Sequence, residues 1–372
     1  MRVIQVIGSL HPRMGGLPKS AVSIAATLAG RGVESGMVFF ASPREMDQVR
    51  KAYGHFPNFD QVQLLPLRPG PLRSFRAAEL RDQLERFSPD LLHTHGLWEP
   101  LLAHAQCHAL RNRIPYVVMP HSMLHPWSAR RYPLIKWGLK HGLGWKSRWR
   151  RAAAVQALTS AEASHWRAEG IDRIRIIPNG IFETEDPGES GKGREKLPTQ
   201  PFVLSLARLH AQKAPDLLLR AFARLSGELH LVFAGPDYGM EKTLRRLAER
   251  LGCAERVHFP GRLEEAEKWT ALHACRCFCL SSWAEGFSKA VLEAALAGAP
   301  IVISPECGFS ELADAGGALI PELTPEALAG AMGRMMEEGP ERGRAARAYV
   351  RSHCLWEQVA DSLIGMYGEL VA

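Results

Sequence analysis

Residues Ser281–Val302 read SSWAEGFSKAVLEAALAGAPIV. The apolar run Cys277–Leu280 that leads into them has the length and composition of a strand. A Glu-Gly-Phe turn comes next at 285–287, and the apolar spacing beyond it predicts a helix from about Ser288 to Ala297. Pro300–Ile303 then starts a second strand-like run. Strand, turn, helix and strand in immediate succession form the crossover unit of a parallel sheet.

The same alternation runs outward through the chain. Phe202–Ala207, Leu229–Ala234 and Val257–Phe259 are strand-like before this unit, and Pro325–Glu338 and Trp356–Leu370 are helix-like beyond it. In the first half, Val3–Ile7, Val33–Phe40, Gln61–Leu67, Asp90–His95, Pro115–Pro120 and Ala153–Leu158 are predicted strands. They are rich in Val, Ile and Leu and too short for helices. Helix-like segments lie between them at Pro18–Ala29, Leu72–Phe87, Pro100–Arg111 and Ser160–Glu169, the last with Ser160 as the expected N-cap. Residues 183–200, ETEDPGESGKGREKLPTQ, lack an apolar period and have the composition of a linker. The expected fold class is α/β: two doubly wound, Rossmann-like domains facing across a cleft, with ligands at the carboxyl ends of the strands.

A chain of 372 residues is long enough for two domains, each burying its own core. A hydrophobic fraction of 46% and a charged fraction of 23% exclude a disordered polypeptide. No apolar run approaches the ~20 residues that span a bilayer. MRVIQVIGSLHP at the start enters a strand pattern directly, which argues against a signal peptide. Seven cysteines without framework spacing point to reduced thiols and a cytoplasmic address. The net charge of +7 is unevenly placed. Residues 1–180 hold 25 Lys and Arg against 12 Asp and Glu, the remainder 21 against 27, and no acid occurs between Pro100 and Ala161. The first half is therefore expected to face an anionic partner: a membrane surface, a phosphorylated substrate or nucleic acid.

Within the opening stretch, Glu285 and Glu293 stand eight residues apart. Helical spacing would separate their backbones by roughly 12 Å, too far for two carboxylates acting on a single bond. The separation suits the two ends of a long ligand whose diphosphate lies at the helix N-terminus, where free N–H groups favour anions. Taken alone, the spacing more commonly marks a solvated turn residue and a helix-surface residue. Its company favours the ligand. Arg208 and Lys213, in SLARLHAQKAPDLLLRAF (205–222), follow a strand and precede a helix, where two cations can grip a diphosphate. In MGGLPKS (14–20), Gly15 and Gly16 lie between the first strand and the first helix, where backbone can approach a phosphate or sugar closely. No G-x-G-x-x-G fingerprint occurs.

These motifs occur in order with HTHG (93–96), PHSMLHPW (120–127), IIPNGI (176–181), ARLHAQK (207–213), FPGRL (259–263) and EGFSKAVLEA (285–294). Together, over essentially the whole chain, they resemble the retaining glycosyltransferases of family 4, the group 1 glycosyltransferases of bacterial polysaccharide biosynthesis, which have the GT-B fold. The resemblance implies a metal-independent enzyme without a cofactor. It would move a hexose-type sugar from a nucleotide diphosphate sugar to a hydroxyl of a glycan or lipid-linked acceptor, retaining anomeric configuration, in envelope or exopolysaccharide assembly. It also implies acceptor binding by residues 1–182, a linker at 183–200, donor binding by residues 201–355, and a C-terminal helix, 356–372, that joins the first domain.

Residue by residue, the resemblance gives Glu285 the role of the carboxylate that holds the donor sugar hydroxyls. Gly286, Phe287 and Ser288 would offer backbone N–H groups beside it, and Glu293 matches the ribose-binding glutamate. Arg208 and Lys213 match the diphosphate clamp, Gly15 and Gly16 the loop beside the donor phosphates, and backbone around Arg262 would meet the base. His121 matches the histidine near the reacting centre, with His95 also on the acceptor side. The sequence departs from the common pattern at Ala214, where Gly is usual, and at Ser288-Lys289. A lysine in a first helical turn opposes the helix dipole unless an anion lies nearby. A GT-B sugar-nucleotide 2-epimerase and a non-catalytic sugar-binding protein are the alternatives.

The segment RRYPLIKWGLKHGLGWKSRWRR (130–151) carries eight Lys and Arg, no acid, and Trp137, Trp145 and Trp149. Basic residues interleaved with aromatics suit anionic lipid, and so a peripheral protein on the inner face of the cytoplasmic membrane. A solvated cationic helix whose tryptophans pack inward is the other reading, and Gly138, Gly142 and Gly144 weaken any regular helix. Nucleic acid is not expected as a partner. His93 and His95 share a strand face, with His121 and His125 on a later loop. Without acidic or Cys companions at metal spacing they are expected to line a pocket rather than bind zinc. Cys275, Cys277 and Cys279 lack C-x-x-C spacing and read as a buried strand face.

Overall fold

The computed structural model describes residues 1–70, 77–126 and 133–372. They form two compact units, one of Met1–Gly180 with Trp356–Ala372 and one of Ile181–Leu355. In the first, seven parallel strands run β1 (Arg2–Val6), β2 (Glu34–Phe40), β3 (Gln63–Leu67), β4 (Leu91–His95), β5 (Tyr116–Met119), β6 (Ala154–Ala157) and β7 (Ile174–Ile176). Their order across the sheet is β3-β2-β1-β4-β5-β6-β7. The second unit holds β8 (Phe202–Leu206), β9 (His230–Ala234), β10 (Val257–Gly261), β11 (Cys277–Leu280), β12 (Ile301–Ile303) and β13 (Ala318–Leu319). Their order is β10-β9-β8-β11-β12-β13, again all parallel.

Both sheets are thus doubly wound, and each reverses its winding at one place: between β1 and β4, and between β8 and β11. Connections leave those neighbouring strands towards opposite faces, so a crevice opens at their carboxyl ends, which is where sheets of this kind bind ligands. Helices cover both faces of the sheets, which accounts for the continuous Val, Ile and Leu runs of the strands. Cys277 and Cys279 of β11 lie fully buried in this way, as their alternation predicts.

The structure adds elements that the sequence pattern conceals. β7 is three residues long and largely exposed, and β13 is two residues long, so neither shows an apolar run. The helix expected to end at Glu338 continues as Pro325–His353, through Pro340. Gly339, Gly343, Ala346 and Val350 bury its far half, and that packing outweighs the backbone hydrogen bond that proline cannot make. The helix of Ser160–Ala168 is capped by Thr159 rather than Ser160: Glu162 N donates to Thr159 Oγ1 at 3.1 Å. The start of the segment expected as helix from Leu72 lies outside the described residues, and the described helix is Ala77–Phe87.

Residues 183–200 fall within the second unit. They carry short 3₁₀ turns at Glu183–Glu185 and Arg194–Lys196, and Leu197 enters the core beside Phe202 and Trp269. The C-terminal helix Trp356–Val371 belongs to the first unit, where it buries Trp356, Val359, Leu363 and Tyr367. No helix among the described residues is long and apolar enough to cross a membrane.

The long Pro325–His353 helix tests this packing with opposite signs in one element. A Cβ at Gly343 would lie 2.1 Å from the Gly298 carbonyl oxygen, whereas at Gly330 nothing stands within 4 Å. Gly343→Ala should destabilise by about 2–3 kcal/mol through overpacking. Gly330→Ala should stabilise by about 0.5–1 kcal/mol by restricting the unfolded chain. Urea unfolding midpoints measure both.

Candidate functional site

In the second unit the loops after β8 and β11 are stitched together at the point where the winding reverses. The Gln212 side-chain amide donates to Ala284 O at 2.8 Å, and Trp283 N returns a bond to Gln212 O at 2.8 Å. Ser281 Oγ stands 3.2 and 3.1 Å from the carbonyls of Lys213 and Ala214. Ala214 has φ +45°, in the left-handed region, and turns the chain into the helix Pro215–Phe222. That geometry explains why glycine is the usual residue there and what this chain accepts instead, a modest backbone strain.

The stitching brings Lys213 and Glu285 together. Lys213 Nζ donates to Glu285 Oε1, and Ser282 Oγ donates to the same oxygen at 2.8 Å. Only 15% and 10% of the two charged side chains remains exposed, so water screens the pair poorly. Arg208, on the same loop, is exposed and lies over the ring of Tyr238 with 5.5 Å to its centroid. Gly286, Phe287 and Ser288 lead into the helix Lys289–Ala297; Phe287 packs on Phe309, and Ser288 stands at the N-cap without a side-chain cap bond. The first N–H groups of that helix have no helical acceptor and so favour an anion.

Four residues further, Glu293 is buried on the same helix and anchors a second charge cluster. Its Oε1 accepts from Lys268 Nζ at 2.8 Å and lies 3.4 Å from Lys289 Nζ. Lys289 also donates to Glu185 at 2.5 Å, and Lys268 to Glu265 at 2.7 Å. The anions that tolerate a lysine in this first helical turn are therefore the protein's own carboxylates. Oxygens of Glu185, Glu265 and Glu293 lie within 4.8 Å of one another, yet two ammonium groups already bridge them. Arg262 is exposed on the loop after the edge strand β10.

The first unit gathers histidines at its own reversal point. His93 and His95, on one face of β4, stack at 4.7 Å between centroids. His93 Nδ1 meets the Tyr367 hydroxyl at 2.6 Å, and His95 Nε2 meets Gln5 Oε1 at 2.7 Å. An amide oxygen can only accept, so His95 carries its proton on Nε2 and turns a bare Nδ1 towards His121 Nε2, 3.1 Å away. His121 donates across that contact, which leaves its own Nδ1 as an acceptor. His125 packs edge-on against His165 instead, with 5.5 Å between centroids.

His121 and Ser122 both have left-handed backbone, with φ of 51° and 59°. Glu162 holds them there: its buried carboxylate accepts from Ser122 N and, at 2.7 Å, from Leu158 N. Burial raises the Glu162 carboxyl above its ordinary value, against these backbone bonds that favour the charged form. Asn179 of the Pro-Asn-Gly turn accepts from Ser20 of the first helix. Gly15 needs its φ of +85°, and a Cβ at Gly15 or Gly16 would meet open space, so this loop presents bare backbone.

Sequence reasoning found Lys213, Glu285, Glu293, His95 and His121 but not Ser282, Lys268, Glu185, Gln5 or Glu162. Glu162 alone had a signal: it is the first acid after the acid-free window and stands three residues after Thr159.

Burial lowers His93 and His121 from 6.5 to about 3, and holds His95 well below its ordinary range. The unfolded chain therefore binds protons below pH 6.5 that the folded chain refuses, and stability falls on acidification while staying level above about 7. Each histidine contributes up to about 1.4 kcal/mol per pH unit on the acid side. Urea unfolding from pH 7.5 to 5 should show this slope, and His121→Asn should make it shallower by about one proton. A flat profile, or one that rises on acidification, would contradict the neutral histidine column.

Residues 14–184 match the family described as Glycosyltransferase Family 4, and residues 189–351 match Glycosyl transferases group 1. A D-inositol 3-phosphate glycosyltransferase of Stackebrandtia nassauensis is 30% identical over 241 residues, which are 59% of this chain and 54% of that protein. The protein of the same name from Xylanimonas cellulosilytica is 27% identical over 390 residues, covering 95% of this chain and 92% of its own. The matched part spans about half the length of the first curated relatives. Among solved structures, Anabaena HepE in complex with UDP aligns with a TM-score of 0.79 over 99% of this chain and 100% of its own. At 20% identity that is a likeness of fold, the GT-B arrangement of two Rossmann-like parallel-sheet domains. With its two halves matched in succession, the chain belongs to the family 4, group 1 glycosyltransferases.

Proposed function

We propose that this chain is a retaining, metal-independent hexosyltransferase. It takes a sugar from a nucleotide diphosphate donor and passes it to a hydroxyl of a glycan or lipid-linked acceptor. The observation that carries the reading is the meeting of Lys213 with Glu285 at the switch point of the second sheet, beside Arg208 and the uncapped start of the Lys289–Ala297 helix. Cations and helix N–H groups there suit a diphosphate, Glu285 suits sugar hydroxyls, and Glu293 suits a ribose. The base would lie against backbone near Arg262, and the Gly15-Gly16 loop and His95 and His121 would serve the first unit's side of the reaction.

In the proposed step, the acceptor oxygen bonds to the anomeric carbon as the bond from that carbon to the diphosphate oxygen breaks. The hydroxyl proton passes to the departing diphosphate on the same face, which retains configuration. Lys213 has three N–H donors, so it can keep Glu285 and still reach a phosphate oxygen. Arg208 and Lys213 then stabilise the charge that grows on the leaving group. These two cations take the role a metal would otherwise fill. The neutral His121, with Nδ1 as acceptor, can orient a hydroxyl.

The excess of base in the first unit supports an acceptor that carries phosphate, in envelope or exopolysaccharide assembly at the inner face of the cytoplasmic membrane. The relatives' name places phosphorylated inositols among the first acceptors to try, and the UDP bound by HepE makes uridine donors the first to try.

Product formation from UDP-, GDP- and ADP-hexoses is the test. Glu285→Gln and Arg208→Ala should each lower kcat by at least about 100-fold with unchanged melting temperature. EDTA should leave the rate of the unaltered protein as it is. Wild-type turnover in either variant would overturn the assignment, and conversion of the donor sugar without acceptor would identify an epimerase instead.

A further inference from the structure

The sequence leaves open whether the basic, Trp-rich segment packs inward or faces a partner; the structure divides it. Trp145 and Trp149, on the short helix Trp145–Arg150, are buried against Trp98 and Trp166. They fasten the segment to the first unit. The part before them does the opposite. A helix of Pro133–Trp137 runs into a π-helical turn at Gly138–Gly142, and Gly144 reverses the chain with φ +67°. This bend displays Leu134, Ile135, Trp137 and Leu143, which are 84%, 63%, 65% and 63% exposed. They are the four most exposed large hydrophobic side chains among the described residues, and they fall within ten consecutive positions. Isolated exposed apolar residues need no explanation, but a cluster of this kind marks a contact surface.

We infer that Leu134, Ile135, Trp137 and Leu143 form a wedge that inserts into the interface of an anionic lipid bilayer. Charge selects this occupant. The acid-free window from Pro100 to Ala161 surrounds the wedge, and Arg150 and Arg151 stay exposed at its end. Glu169 faces the segment from outside that window and holds Lys140 and Lys146 at 2.5 and 3.0 Å, fixing two ammonium groups at the base of the bend. An apolar tip on a cationic base matches the hydrocarbon boundary and the headgroups of an anionic leaflet. A second copy of this chain would set cationic surface against cationic surface, and nucleic acid would leave the apolar tip in water. Beside Leu143, a cavity of about 250 Å³ lined mostly by apolar residues such as Pro100, Ala103, Leu139 and Trp145, with His104 and Arg148 at its polar part, adjoins this surface.

Vesicle binding needs no donor sugar, so this inference and the transferase reading can fail separately. The full chain should co-sediment with phosphatidylcholine vesicles that contain phosphatidylglycerol and much less with phosphatidylcholine alone, and binding should weaken in high salt. The combined variant Leu134→Ser, Ile135→Ser, Trp137→Ser and Leu143→Ser should reduce that binding by at least about tenfold. Circular dichroism and melting temperature should stay as in the parent, since each of these side chains is more than half exposed. Absence of vesicle binding, or undiminished binding by the four-serine variant, would overturn the inference. So would self-association in ultracentrifugation that the same variant abolishes, or a DNA complex that it leaves intact while vesicles are not bound.

Discussion

A lysine and a glutamate from loops after two neighbouring strands meet with little water around them, and much of the second unit is arranged to keep them there. An ion pair so enclosed is a weak source of stability, because desolvating both charges offsets most of their attraction. Apolar residues of similar size would serve the fold as well. What the pair provides is a fixed ammonium and a fixed carboxylate at a strand switch point, each with bonding capacity to spare. The left-handed Ala214, the bonds of Gln212 with Ala284 and Trp283, and the Ser281 hydroxyl hold the two loops in this register, while the Ser282 hydroxyl holds the Glu285 carboxylate within its own loop.

The first unit solves a different problem with neutral groups. Three imidazoles in contact could not all be charged, and burial keeps them uncharged. Gln5 at one end of the chain of contacts fixes the tautomers, so that His121 presents a lone pair rather than a proton. Glu162 contributes by shape, holding two residues in backbone that side chains ordinarily avoid. The two units therefore present different chemistry: fixed charge in one, a neutral acceptor in the other.

Much of this was legible in the sequence because parallel strands are local events. Each of the longer strands is a short, mostly apolar run that neighbours cannot disguise, and the loops that bear Lys213 and Glu285 follow such runs directly. β7 and β13 were illegible because two or three residues carry no period, and the far half of the Pro325–His353 helix because Pro340 signals a stop that tertiary packing overrides. Ser282, Gln5, Glu185 and Lys268 were illegible for another reason: their roles come from partners that only the fold brings near. Lys289 was visible as an anomaly, a cation at a helix start, and its resolution by Glu185 and Glu293 needed the structure. The basic segment shows the same limit, since composition could not separate the buried Trp145 and Trp149 from the exposed Trp137.

The central claim is that Arg208, Lys213 and the start of the Lys289–Ala297 helix form a diphosphate site. Calorimetric titration of UDP and of uridine, against the unaltered chain and against Lys213→Met, addresses it most directly. The account predicts that UDP binds the unaltered chain at least about tenfold more tightly than uridine, and that Lys213→Met removes most of this difference while leaving uridine binding unchanged. Equal affinity for the two ligands, or a difference that survives the substitution, would contradict it.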